Sequence, residues 1–142
     1  MFERVYTIGC FDHFHQGHIN LLTSMKKLGR RIIVGIHDDM SLESLKNLTP
    51  DEHEPIQTRM AKIRPYVDNV YVVPDCDPTF FLQCMVLPED NLETMTSCYA
   101  RADDMPNFPG RKFIETRMEI YLIPYTHGIS STEIRKNLIY RK

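Results

Sequence analysis

Short apolar runs of strand length alternate with longer helix-like segments along this chain. The run at 31–36 is nearly continuously apolar, as is typical of a strand buried on both faces. The predicted strands lie at 5–8, 31–36, 70–73, 94–100 and 119–123, and the predicted helices lie at 16–28, 41–46, 56–64, 79–86 and 130–140. Such alternation indicates βαβ units with right-handed crossovers. We therefore predict an α/β fold: a doubly wound, mostly parallel five-stranded sheet with helices on both faces.

The length and composition of the chain fit one globular domain. It has 142 residues, of which 42% are hydrophobic, and its formal net charge is −2. No basic excess points to nucleic acid or to a membrane surface, and no segment has the apolar length needed to span a bilayer. We therefore expect a single Rossmann-like domain over residues 1–142, soluble and cytoplasmic, with no nucleic-acid partner and no membrane span.

The loop after the first predicted strand, Gly-Cys-Phe-Asp-His-Phe-His-Gln-Gly-His at 9–18, is the first candidate site. Its backbone amides and the start of the following helix can cradle phosphate. His15 and His18 can both donate hydrogen bonds to phosphate oxygens, and Gly17 removes a side chain that would crowd the approach. The loop therefore predicts an anion site beyond the first strand.

A metal site is the alternative for this loop. His15 and His18 could ligate zinc together with Asp12. A structural or catalytic zinc site needs three or four protein ligands, and no further residue nearby has metal-site spacing. We therefore expect no metal held by protein ligands.

The segment 126–135, Thr-His-Gly-Ile-Ser-Ser-Thr-Glu-Ile-Arg, opens the last predicted helix. Serine and threonine at a helix start donate hydroxyl hydrogen bonds, and nearby amides point outward. Ser130 with Glu133 also reads as an ordinary capping box. The same residues can serve as a cap and as a phosphate site, so the two interpretations are compatible.

The first loop matches the pattern G-x-F-D-x-x-H-x-G-H at every fixed position. It resembles the cytidylyltransferase-like nucleotidyltransferases, which include the glycerol-phosphate, choline-phosphate and ethanolamine-phosphate enzymes. The resemblance implies that His15 and His18 stabilise the transition state. It also implies that the loop residues contact the nucleotide, namely Gly9, Cys10, Phe11 and Gly17.

The second segment is similar to the family signature R-T-E-G-I-S-T-T. The residues that the resemblance implies in nucleotide binding are Thr126, Gly128, Ile129, Ser130, Ser131 and Thr132. Tyr125 and His127 stand where the family has arginine and glutamate. Arg135 can supply the missing charge, since I-S-S-T-x-I-R resembles the form found in related adenylyltransferases.

Further positions extend the resemblance over most of the chain, with 76–97 poorly matched. Asp39 corresponds to an aspartate at the end of the second strand, and Lys46 to a lysine that contacts phosphate and can neutralise charge on the transferred group. Asp12, Arg59 and Asp104 are the implied substrate contacts. Lys46 as an ordinary surface lysine remains an alternative.

The resemblance implies transfer of CMP from CTP to a small phosphorylated alcohol, with release of pyrophosphate, nucleotide-bound Mg²⁺ and a homodimer. Choline phosphate is disfavoured because it needs an aromatic cage, and the chain has no Trp. Two alternatives stay open. One is an adenylyltransferase that uses ATP with a phosphopantetheine- or mononucleotide-type acceptor, and the other is a nucleotide-binding module without turnover.

Overall fold

The computed structural model describes residues 1–124, which form five strands and five α-helices. The strands are β1 (Phe2–Gly9), β2 (Gly29–His37), β3 (Asn69–Val73), β4 (Ser97–Ala102) and β5 (Glu119–Ile123). The helices are α1 (Gln16–Leu28), α2 (Asp39–Lys46), α3 (Ile56–Ile63), α4 (Thr79–Met85) and α5 (Arg111–Glu115). Two short 3₁₀ turns at Pro50–Glu52 and Arg64–Tyr66 flank α3.

The five strands form one sheet in the order β3-β2-β1-β4-β5, and every neighbouring pair is parallel. The central strand β1 pairs with β2 on one side and with β4 on the other. Val5, for example, lies opposite Ile32 and opposite Cys98. The predicted doubly wound parallel sheet is therefore confirmed.

Successive residues of the central strands face opposite sides of the sheet and pack into two separate hydrophobic cores. On one side they pack with α1 and α3; the buried residues there include Val5, Ile32, Cys98, Leu22, Met25 and Ile63. On the other side they pack with α4 and α5; those residues include Tyr6, Ile33, Tyr99, Leu82 and Ile114. Both faces of β1 and β2 are covered by helices, and this explains why the two strands are apolar runs in the sequence.

Each predicted strand and helix that lies within residues 1–124 has a counterpart in the structure; α1 and β5 have the predicted bounds, and the ends of the others are shifted. Strand β4 begins at Ser97 rather than at residue 94, because the hydroxyls of Thr94 and Thr96 donate to the carbonyl of Glu89 in a preceding turn. Helix α5 was not predicted. It follows Gly110, whose φ is 90°, and its five residues are too few to show a helical period. The predicted helix at 130–140 lies outside the described residues.

Gly29 follows the last residue of α1 and begins β2. Its φ of −156° is extended rather than left-handed. A Cβ at this position would lie 2.9 Å from the carbonyl oxygen of Phe2. Close approach of β2 to β1, and not a left-handed cap, is therefore what requires glycine here.

No helix among residues 1–124 is long and apolar enough to cross a membrane.

Asp90 ties the segment between α4 and β4 to the central strand. Its side chain is fully buried and accepts hydrogen bonds from Arg4 Nε at 2.9 Å, from Arg4 Nη2 at 2.7 Å and from the Tyr6 hydroxyl at 2.5 Å. Burial opposes ionisation, but these hydrogen bonds outweigh it and hold the pKa of Asp90 below its usual value. The carboxylate is therefore charged and paired at neutral pH.

Replacing Asp90 by Asn should lower the free energy of unfolding by about 2 kcal/mol, because a charged hydrogen-bond acceptor is lost and the Arg4 cation loses its partner. Urea denaturation would measure this difference. Glu93→Gln, an exposed change in the same segment, is the control and should stay within about 0.5 kcal/mol of the parent protein. An Asn variant as stable as the parent would show that this anchor contributes little.

Candidate functional site

A cleft opens at the carboxyl ends of β1 and β4. These two neighbouring strands mark the point where the chain order of the sheet reverses, and such switch points are where open parallel sheets bind ligands. The residues that line the cleft come from the carboxyl ends of β1, β2 and β4, from the first loop, from α2, and from the segments before α4 and after β4. They are Ile8, Gly9, Cys10, Phe11, Asp12, His18, His37, Leu45, Lys46, Pro78, Tyr99, Arg101, Met105 and Pro109.

The structure brings together in this cleft six of the residues that the sequence singled out. They are Gly9, Cys10, Phe11, Asp12, His18 and Lys46. The other predicted contacts within residues 1–124 do not line the cleft, namely His15, Gly17, Asp39, Arg59 and Asp104. The remaining ones lie outside the described residues: Thr126, Gly128, Ile129, Ser130, Ser131, Thr132 and Arg135.

The first loop is held in an unusual backbone shape by the segment that precedes α3. Phe11 and His13 have positive φ values of 50° and 47°. The backbone N–H of His13 donates to the Glu54 carboxylate at 2.8 Å, and the backbone N–H of Glu54 donates to Asp12 Oδ1 at 2.9 Å. This reciprocal pair supports the strained loop and keeps Asp12 buried at the wall of the cleft.

His15 and His18 cap the start of α1 through their Nδ1 atoms. His15 Nδ1 accepts from the backbone N–H of Gly17 at 3.0 Å, and His18 Nδ1 accepts from the backbone N–H of His15 at 3.2 Å. The two rings stack with centroids 3.8 Å apart. Because both Nδ1 atoms are acceptors, each neutral ring carries its proton on Nε2. The caps therefore set which tautomer each histidine adopts.

His18 stays neutral at physiological pH. Burial lowers its pKa, the neighbouring His15 lowers it further, and the result is a pKa of about 3. Burial also lowers the pKa of His15. A neutral imidazole with a fixed Nε2–H is a hydrogen-bond donor that costs no reorganisation when negative charge develops beside it. His18 is therefore suited to donate to a phosphoryl oxygen in the cleft.

Lys46 provides positive charge at the opposite end of α2 from Asp39. The side chain is exposed, and its ammonium makes no hydrogen bond or ion pair with residues 1–124. Its charge nevertheless lowers the pKa of His18 and opposes the increase that burial causes in the pKa of the Cys10 thiol. Lys46 is thus a cation that faces the cleft without a carboxylate partner in the described part of the chain.

Arg59 is fully buried and connects the loops beneath the cleft. Its guanidinium donates to three backbone carbonyls, those of Glu54 at 2.9 Å, Cys10 at 2.9 Å and His37 at 2.7 Å, and to Asp39 Oδ1 at 2.8 Å. Arg59 is predicted to contact the substrate, and Asp39 is predicted to contact the nucleotide; both roles remain predictions. In this structure the pair holds the ends of β1 and β2 in place.

Among the cleft residues that the sequence analysis did not single out, three have polar side chains: His37, Tyr99 and Arg101. His37 Nδ1 donates to the carbonyl of Asp75 at 3.0 Å, and burial lowers the pKa of His37. Tyr99 is fully buried, and its hydroxyl accepts from the backbone N–H of Ile8 at 3.1 Å. The position of Arg101 at the carboxyl end of a predicted parallel strand was the signal that could have found it.

A group of possible metal ligands also lies beside the first loop. One ligand atom each from Asp12, His13 and Glu54 lie within 4.8 Å of one another. The ammonium of Lys62 forms an ion pair with Glu54 at this place. Since that ammonium already balances negative charge, the group acts as a latch between the loop and α3 in this structure.

Comparison with known proteins shows the family to which the chain belongs. A model of the cytidylyltransferase-like family matches residues 6–137. The chain therefore belongs to the cytidylyltransferase-like family, as the first loop predicts.

Two curated relatives match most of this chain. The bifunctional protein HldE of Shewanella denitrificans is 29% identical over 138 residues, which are 97% of this chain and 28% of that protein. A probable ethanolamine-phosphate cytidylyltransferase of Encephalitozoon cuniculi is 32% identical over 136 residues, which are 93% of this chain and 39% of that protein. The chain thus spans well under half the length of these relatives.

A solved structure shares the fold. The lipopolysaccharide core biosynthesis protein of Thermoplasma volcanium superposes with a TM-score of 0.64, covering 89% of this chain and all of that chain, at 21% sequence identity. At this identity the likeness supports the fold alone.

His18 should keep its proton on Nε2 and should not titrate between about pH 8 and about pH 5, unlike an ordinary histidine. Long-range proton–nitrogen spectra of nitrogen-15-labelled protein distinguish the two tautomers and the charged ring. His53, whose pKa is raised by hydrogen bonds to Glu43 and Glu54 against the opposing effect of burial, provides the contrast within the same sample. Protonation of His18 near its ordinary pKa of 6.5 would contradict the buried geometry.

The lowered pKa of His18 also makes the stability of the fold depend on pH. Unfolded His18 takes up a proton near pH 6.5, whereas folded His18 does so only near pH 3. The unfolded state therefore binds more protons between these values, and stability from this residue is present above pH 6.5 and lost as the pH falls towards 3.

Proposed function

We propose that this chain is a nucleotidyltransferase that transfers CMP from CTP to a small phosphorylated alcohol, such as glycerol phosphate or ethanolamine phosphate, and releases pyrophosphate. The single observation that carries the proposal is the neutral His18 at the start of α1, whose Nδ1 is used in the cap and which lines the switch-point cleft together with Lys46. Membership of the cytidylyltransferase-like family supports the reaction class. The E. cuniculi relative supports CTP and a phosphorylated alcohol.

The reaction asks the protein for positioning and charge stabilisation rather than covalent chemistry. An oxygen of the acceptor phosphate forms a bond to the α-phosphorus of CTP, and the bond from that phosphorus to the bridging oxygen breaks. Pyrophosphate leaves with the electron pair, and no proton transfer is required. His18 donates to the α-phosphate as negative charge builds up, and Lys46 neutralises the leaving phosphates.

Mg²⁺ is expected to enter with the triphosphate. It prefers oxygen ligands and usually keeps phosphate and water oxygens with one or two carboxylates. Asp12 is the carboxylate that lines the cleft among residues 1–124, so the donor set suits an ion held mainly by the nucleotide. When bound, the ion neutralises charge on the phosphates. The homodimer and the cytoplasmic location also stay predictions.

The choice of nucleotide is tested by thermal unfolding. CTP with Mg²⁺ should raise the melting temperature by several degrees, since a ligand at 100 times its Kd adds about 2.7 kcal/mol to the stability of the native state. ATP at the same concentration should give a clearly smaller shift. A larger shift with ATP would favour an adenylyltransferase, for which the similarity of the segment ending at Arg135 to adenylyltransferases is the supporting observation.

Turnover should depend on Nε2–H of His18 and much less on its Nδ1. The amide oxygen of Asn can replace Nδ1 in the cap but provides no donor at the position of Nε2, whereas the amide nitrogen of Gln can replace Nε2. His18→Asn should therefore lower turnover at least about a hundredfold, the effect of losing one key donor, and His18→Gln should retain more activity.

Pyrophosphate release with CTP and a panel of phosphorylated alcohols measures both variants. Thr23→Ala, an exposed change on α1, is the control and should keep full activity. Near-normal turnover of His18→Asn would refute the role of this residue. Nucleotide binding by the parent chain without pyrophosphate release for any acceptor would instead indicate a binding module.

A further inference from the structure

Arg101 is a cation fixed in the wall of the cleft near the carboxyl end of β4. Its Nη1 donates to the carbonyl of Ile8 at 2.9 Å, and its guanidinium lies over the ring of Phe108 at 5.3 Å from the centroid. Phe108 in turn stacks on Tyr99 with ring centroids 4.8 Å apart and planes at 10°. The side chain is thus held by a backbone carbonyl and by a stack of two buried rings.

No carboxylate within residues 1–124 forms an ion pair with Arg101. Some other arginines of the described chain have such partners: Arg4 pairs with Asp90, Arg59 with Asp39 and Arg111 with Glu115. Arg31, Arg64 and Arg117 form no ion pair within residues 1–124 either, but they do not line the cleft. A guanidinium has five N–H donors, and in Arg101 the Nη1 atom donates to the carbonyl of Ile8. Arg101 therefore keeps donors and a charge that no carboxylate of residues 1–124 neutralises.

The proposed reaction requires two anionic groups side by side. The acceptor phosphate must approach the α-phosphate of the nucleotide, and like charges only about 4 Å apart repel each other strongly near a protein surface. Lys46 and His18, from α2 and α1, face the nucleotide phosphates in the mechanism above. A second cation is needed for the acceptor, and Arg101 lines the same cleft from β4.

We propose that Arg101 binds the phosphate monoester of the acceptor, with Tyr99 and Phe108 as the residues that position its guanidinium. The inference rests on the proposed nucleotidyl transfer and adds a specificity-determining residue to it. A planar guanidinium offers paired donors that match phosphate oxygens, which an ammonium cannot do. The subsite selects a doubly charged phosphate monoester over an unphosphorylated alcohol.

Binding of inorganic phosphate to the full chain provides the test without turnover. The nucleotide site is first saturated with the α,β-methylene analogue of CTP, which cannot react, or with that of ATP if ATP gives the larger thermal shift. Phosphate is then titrated by calorimetry. Arg101→Met should weaken phosphate binding at least about tenfold, as expected for losing hydrogen bonds between charged groups, and leave the affinity for the analogue unchanged. Arg101→Lys should recover part of the loss.

Arg117→Met is a matched control. Arg117 also donates to backbone carbonyls, those of Asp90 at 2.9 Å and Leu87, and its guanidinium lies 5.7 Å from the centroid of the Phe113 ring, yet it does not line the cleft. Its replacement removes the same kinds of contact and should leave phosphate affinity unchanged. In turnover assays Arg101→Met should raise KM for the acceptor without raising KM for the nucleotide, a pattern that a merely structural role would not produce.

The outcomes separate this inference from the proposed function. In one outcome the parent chain binds the nucleotide analogue, and the parent and Arg101→Met bind phosphate with equal affinity. That result overturns the role of Arg101 and leaves the transferase proposal standing. The same holds if Arg101→Met weakens binding of the analogue as much as binding of phosphate, since Arg101 would then belong to the triphosphate site. A parent chain that binds neither analogue overturns the proposed function and this inference with it.

Discussion

The parallel pairing of β1 with β2 on one side and with β4 on the other is the constraint on which the site depends. The chain leaves β1 through the first loop and α1 towards β2, and it reaches β4 only after the whole of the other half-sheet is complete. The two connections therefore diverge above the carboxyl ends of β1 and β4 and leave a crevice. Every cleft residue from the first loop and from β4 owes its place to this divergence.

Charged side chains in this domain have two separate tasks. Asp90 with Arg4 and Arg59 with Asp39 are paired within the protein, and they hold loops whose backbone would otherwise lack partners. Arg59 donates to the carbonyls of Cys10 and His37, where β1 and β2 end. Lys46 and Arg101 face the cleft without a carboxylate partner in residues 1–124. A chain with a net charge of −2 can thus present a locally positive cleft.

The two histidines that cap the start of α1 also leave a hydrogen-bond donor free for a ligand. In an ordinary capping box a serine or threonine and a glutamate or glutamine satisfy the first amides of a helix. Here His15 and His18 do so with Nδ1, and this leaves Nε2–H as the donor. Burial of His18 keeps the ring neutral, so in the proposed reaction it can donate a hydrogen bond without carrying a charge that would bind the ground state of a triphosphate equally well.

The sequence by itself determined the order of strands and helices, the parallel sheet and the loop at 9–18, because apolar periodicity and a contiguous motif are local properties. It did not reveal the burial of Arg59, whose partners Cys10 and His37 are 49 and 22 residues away along the chain. It also did not show that Arg101 lines the cleft, because the contacts that fix its side chain, the carbonyl of Ile8 and the ring of Phe108, come from other segments of the chain. Only the tertiary structure decided which cations are neutralised by carboxylates and which remain for a ligand, since that depends on contacts between segments far apart in the chain.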